Sequence, residues 1–111
     1  MTETDNSIWL IESPVVMVEG EQIAYSVDWQ GAVRVGSPQA AVYKKGADIT
    51  AETMDAGDVH VITGSVFTLK KLRARIGDGG ARYVLVVEAQ VDGNLERRKL
   101  LIHIARASSE S

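Results

Sequence analysis

Two histidines, a scatter of aspartates and one glycine-rich stretch are the residues of this 111-residue chain whose types could do chemistry. His60 and His103 are its two imidazoles, and neither has a second histidine two or four residues away with which to grip a metal ion. The chain has no cysteine, which removes disulfides and thiolate ligands. Asp28, Asp48, Asp55, Asp58, Asp78 and Asp92 stand in or beside turn-forming sequence, where a short carboxylate caps backbone amides. None of them has the spacing of a calcium-binding loop. The glycine-rich stretch Gly77-Asp78-Gly79-Gly80 runs into a strand instead of opening a helix, so it offers no helix N-terminus for a phosphate. Ser108, Ser109 and Ser111 lack the G-x-S-x-G setting of a hydrolase nucleophile. These patterns predict no catalytic residue, no metal site, no cofactor and no small-molecule substrate.

The elements around these residues alternate with period two, so the sequence predicts an all-β fold. In Gln22–Trp29 the residues Ile23, Tyr25, Val27 and Trp29 share one face, while Ala24, Ser26 and Asp28 share the other. Further strands are expected at Trp9–Ile11, Val15–Val18, Ala40–Lys44, Val59–Thr63 and Val66–Lys70, with turns at Lys45-Gly46, Asp55–Asp58 and Gly64-Ser65. One helical turn is expected within Asp48–Met54. About seven antiparallel strands in some 100 residues is the count of an immunoglobulin-like β-sandwich. Residues 1–7 and 107–111 read as flexible ends, and 8–106 as a single domain.

The most legible stretch is Ala81–Ala105, two apolar runs hinged on Asp92-Gly93. A two-residue turn there tolerates positive φ at both positions and pairs Val91 with Asn94. Leu85 then faces Leu100, Tyr83 faces Ile102 and Ala81 faces Ile104, while Glu88 meets Arg97 on the opposite side. A one-residue slip would lose that charge pair and set His103 against Tyr83. The expected core is Ile23, Tyr25, Val27, Trp29, Phe67, Leu69, Tyr83, Leu85, Val87, Leu100, Ile102 and Ile104. Trp29 is expected as a plug between the sheets, and Tyr83 as a tyrosine corner whose hydroxyl bonds back to the backbone. The hairpin's other face carries Val84, Val86, Leu95 and Leu101 beside Arg97 and Lys99. An apolar group of that size predicts a covered sheet or a protein interface. The N-terminal Ile8, Trp9, Leu10 and Ile11 are an alternative cover for it.

Net charge is −3, distributed unevenly: residues 1–69 hold three basic and ten acidic side chains, residues 70–111 nine basic and five acidic. Such a division suits contacts between copies or with a charged partner. Lys70, Lys71, Arg73 and Arg75 lack an aromatic platform or a recognition motif, so nucleic acid is not an expected partner. No stretch has the length of a membrane span, and the acidic N-terminus lacks a signal peptide's basic start; a soluble, cytoplasmically assembled protein with no membrane partner is expected.

Tyr25-Ser26-Val27-Asp28-Trp29, then Val42–Thr50, then Val61–Leu72, then Gly79–Ile104 resemble, in that order, a group of small immunoglobulin-like proteins encoded among the structural genes of tailed phages and prophages. The shared pattern is a Tyr-x-x-Asp-Trp strand, a Gly-x-Asp-x-Thr turn, a strand from a glycine to a leucine five residues on, and a last hairpin with a Gly-x-x-Tyr entry and an Asp-Gly turn. It spans about residues 20–105. The resemblance implies a virion protein, acting as an adaptor or accessory of the tail, neck or capsid through contacts with other virion proteins or further copies of itself. It implies no catalytic residues. The alternative is a stand-alone binding module for carbohydrate or a cell-surface partner, for which Trp9 and Tyr43 are the spare aromatics.

Overall fold

The last hairpin pairs in the register its sequence specifies. In the computed structural model, which describes residues 8–9, 15–55 and 57–107, Val91 lies opposite Asn94, Glu88 opposite Arg97, Leu85 opposite Leu100 and Tyr83 opposite Ile102. Asp92 and Gly93 both have positive φ, 50° and 88°, as the tight turn requires. The Asp92 carboxylate also receives the Val33 and Arg34 amides at 2.9 and 2.8 Å, which ties the hairpin tip to the loop before the next strand of its sheet.

In chain order the strands are β1 (Ile8–Trp9), β2 (Val15–Val18), β3 (Gln22–Ile23), β4 (Ser26–Asp28), β5 (Val35–Lys44), β6 (Ala47–Asp48), β7 (Val61–Thr63), β8 (Val66–Thr68), β9 (Leu72–Arg73), β10 (Arg82–Val91) and β11 (Asn94–Ala105); α1 is the single turn Thr50–Thr53. A six-stranded sheet runs β1-β11-β10-β5-β6, with β2 also on β11. Strands β4-β8-β7 form a three-stranded sheet, and β3-β9 a two-stranded one. All pairs are antiparallel except β1 and β2, which both run parallel to β11. The expectation of antiparallel strands alone is corrected there. The chain is thus mostly β and sandwich-like. Inward residues of the sheets, among them Val27, Phe67 and Leu69 from one side and Val42, Leu85, Val87, Leu100 and Ile102 from the other, form one buried cluster.

Two interruptions of the strands have local causes. From Ile23↔Leu72 to Val27↔Phe67 the β8–β9 side carries one residue more than the β3–β4 side, a bulge at residues 69–71. There the Lys70 amide donates to His60 Nδ1 at 3.1 Å and the Lys71 amide to Asp58 Oδ2 at 2.9 Å, so side chains replace the ladder. The bulge lets Leu69 and Leu72, three apart, both point inward. In β5 the register slips opposite Glu88–Gln90, where Ser37 has φ 49° and Pro38 has no N–H to give. Farther along the same edge, Val42 donates to Thr50 Oγ1 and accepts from the Ile49 amide. A strand of this length is thereby blunted against edge-to-edge pairing.

Ten of the twelve expected core residues are buried; Ile23 and Tyr25 are half-buried and pack against the cluster. Both flank the break between β3 and β4, where the strand meets its neighbour through a single bond from the Leu69 amide to the Tyr25 carbonyl. Val59 is exposed and outside β7 because Asp55 and Asp58 cap the amides of Gly57 and Val59 in a turn. Trp29 is 4% exposed, with the Arg98 guanidinium 4.5 Å from its ring centroid. The expected strand at Leu10–Ile11 and the flexible ends 1–7 and 108–111 lie outside the described residues.

Candidate functional site

Side chains of β10 and β11 that point away from the core form the surface singled out by the sequence. Val84 stands beside Leu101, Val86 beside Lys99 and Glu88 beside Arg97. The Arg97–Glu88 pair is 3.6 Å long, with Arg97 41% exposed, so it orients the surface more than it stabilises it. Leu95 is the exception. It sits opposite Gln90 at the hairpin tip, 51% exposed, and the Glu88–Arg97 pair separates it from Val84 and Val86.

Strand pairing adds residues that the hairpin alone does not reveal. Tyr43 lies opposite Val84, Ala41 opposite Val86 and Gln39 opposite Glu88 on β5. On the far side Val16 pairs with His103 and Val18 with Ala105, both valines exposed. The result is an apolar band across four strands, Tyr43 and Ala41 to Val84 and Val86 to Leu101 to Val16 and Val18, edged by Glu88, Arg97, Lys99, Arg82 and His103. A concavity of about 550 Å³ opens over its β5–β10–β11 part, with Tyr43, Ala41, Val84, Val86, Glu88, Arg97 and Lys99 in its lining. The outer face of the three-stranded sheet is smaller and mixed, with Val61 and Val66 set among polar side chains. There Ser26 and Thr68 share a hydroxyl hydrogen bond of 3.0 Å and Ser65 donates to Asp28 at 2.7 Å.

The N-terminal segment meets this sheet at its edge. The β1 backbone pairs with Arg98 and Lys99, and β2 with Ile102–Ala105. Residues 10–14, which hold the remaining candidates Leu10 and Ile11, lie outside the described residues, as do the side chains of Ile8 and Trp9.

Asp48, Asp55, Asp58 and Asp92 act on the backbone, while Asp28 takes the Ser65 hydroxyl. Asp48 receives the Thr50 amide and hydroxyl, which secures the Gly46-Ala47-Asp48-Ile49-Thr50 turn. Asp78 is instead buried, and its carboxylate takes Lys44 Nζ at 2.7 Å, Arg75 Nε at 2.9 Å and the Tyr83 hydroxyl at 2.5 Å. Burial pushes this carboxyl up, but the hydrogen bonds from Lys44, Tyr83 and Arg75 outweigh it and hold it at about 2. The Arg75 amide donates to the same Tyr83 oxygen at 3.0 Å, completing the tyrosine corner. Next to it Glu19 receives the amides of Gly77, Gly79 and Ala107, and a Cβ at residue 79 would collide with the side chains of Arg106 and Glu19. The glycine-rich stretch is thus a clasp between the sheet ends, with its amides and Asp78 already engaged. What sequence reasoning missed here is Lys44, 34 residues from Asp78 and without any local signal.

His60 stacks edge-on against Phe67 and accepts the Lys70 amide, and His103 is exposed beside Arg82. Burial, followed by the Lys70 charge, pushes the His60 imidazole below its ordinary value. Among the described residues no group of three or more His, Asp or Glu side chains could hold a metal ion, and no helix is long and apolar enough to cross a membrane. No protein-family model matches the chain, and no curated protein matches it.

Proposed function

We propose that this protein is a non-enzymatic, immunoglobulin-like structural component of a tailed phage or prophage particle. In this reading it works as an adaptor or accessory protein through contacts made by the outer face of its six-stranded sheet, and it is assembled in the host cytoplasm. The observation that carries the contact reading is the contrast between the outer faces. One is a smaller, mixed surface where Val61 and Val66 stand among hydroxyls and Asp28, and the other is an apolar band crossing four strands with charges at its margin. A sheet solvated on its outside has no use for such a band, whereas a docking face does.

The immunoglobulin-like reading is supported by the strand order. A β4-β8-β7 sheet stands against β11-β10-β5-β6, β2 joins β11 in parallel, and Tyr83 pins the crossover into β10. The phage reading rests on the ordered motif resemblance, and each motif has a mechanical task in the fold. Trp29 plugs one end of the core, Asp48 and Thr50 fix the turn after β5, and Asp92-Gly93 closes the hairpin. Mass spectrometry and antibody labelling of purified particles test the proposal. The chain is expected at a fixed copy number and one location; particles that are complete without it would refute the reading.

A further inference from the structure

The band carries its own complement, and we infer that its occupant is a second copy of this chain, packed about a twofold axis that runs along the strands midway between β10 and β11. This inference rests on the outer face being the contact surface. Neighbours on β10 and β11 stand side by side, Glu88 with Arg97 and Val84 with Leu101. A twofold axis along that midline lays each β10 residue over the corresponding β11 residue of the other copy. Glu88 then meets Arg97 of the second copy and Arg97 meets its Glu88, so one charge pair becomes four mutually facing groups of alternating sign. Val84 meets Leu101 of the second copy in the same way, and Val86 comes over Lys99, whose alkyl stem can lie along it. The axis thus sets each group against the kind of neighbour it already has within one chain, as an isologous interface requires. The chemistry of the pair allows the second contact, because a guanidinium has five N–H donors and Arg97 is 41% exposed beside a carboxylate 3.6 Å away.

Sedimentation equilibrium of the full chain and of charge-reversed chains tests this. The native chain is expected to dimerise at concentrations up to about 0.1 mM, within reach of an interface of standard size. Glu88→Arg alone and Arg97→Glu alone each place like charges opposite one another across the axis, and should weaken self-association at least about tenfold. An equimolar mixture of the two should associate like the native chain, since every reversed group then meets its opposite. The double variant Glu88→Arg/Arg97→Glu should dimerise by itself. Restoration on mixing cannot arise from the pair inside one chain, because neither variant contains that pair. A native chain that stays monomeric, a mixture no tighter than its parts, or a double variant that fails to dimerise overturns the twofold inference. The contact-face reading fails separately, if Val86→Lys enters particles normally; a monomeric native chain whose Val86→Lys variant is excluded from particles removes the second copy and leaves the face.

Discussion

Replacing Asp78 by asparagine isolates the charge at the centre of the corner cluster, because the amide keeps the shape of the carboxylate and loses its attraction for Lys44 and Arg75. The Asp78 side chain is 8% exposed, while Lys44 and Arg75 are 26% and 33% exposed and can recover part of their hydration. The cost should therefore fall below that of breaking a fully buried pair, at about 2–3 kcal/mol near neutral pH. Linkage gives an independent figure. A carboxyl held at about 2 when folded, against 3.8 ordinarily, contributes roughly 2 kcal/mol of stability. Since the folded value is the lower one, that contribution is complete above about pH 5 and is lost as pH falls through 4 towards 2. Urea unfolding of both proteins at pH 7 and again near pH 2 measures the difference directly, and carboxylates common to both cancel. The gap should be about 2–3 kcal/mol at pH 7 and under about 1 kcal/mol near pH 2. A gap that is the same at both pH values, or negligible at pH 7, would refute the reasoning.

Trp29→Ala should destabilise by about 3–5 kcal/mol, since it empties a buried site and removes the ring beneath Arg98; a melting temperature unchanged within a degree or two would show that the core does not depend on it. The His60 imidazole should titrate below its ordinary 6.5 in an NMR titration, because burial disfavours the cation and Nδ1 must stay unprotonated to accept the Lys70 amide. With the folded value the lower one, protonation destabilises as pH falls through that window, and the Lys70 amide should exchange faster there; a midpoint at or above 6.5 contradicts this. Gly79→Ala should lower the melting temperature by forcing Arg106 and Glu19 apart, and crystals or spectra showing an undisturbed clasp would contradict it.

The hairpin was legible because three independent signals agree there. The Asp92-Gly93 turn fixes the loop, alternation fixes which side is apolar, and Glu88 opposite Arg97 tells one register from its neighbour. The tyrosine corner was legible from Gly80 and Tyr83 alone. Features set by distant residues were not. The strand expected at Ala40–Lys44 reaches back to Val35 across Pro38, since the bulge there accommodates a residue that cannot donate to a regular ladder. Likewise, His60 and Asp58 taking the amides of Lys70 and Lys71, and so dividing β8 from β9, is a long-range substitution with no local trace. The contact face was half legible. Val84, Val86, Lys99 and Leu101 follow from hairpin parity, whereas Ala41, Tyr43, Val16 and Val18 join it only through pairings between strands far apart in sequence.

Incorporation of the Val86→Lys chain into purified particles, measured beside its melting temperature, tests the central claim most directly. Val86 is half-buried at the middle of the band and lines its concavity, where a lysine can lift its ammonium into water when no partner is bound. The account predicts a melting temperature within about two degrees of the native protein and loss of incorporation, because a docked partner would trap an unpaired charge. Normal incorporation would contradict it, and so would a loss of stability of roughly 2–4 kcal/mol, the mark of a face that belongs to the protein's own interior.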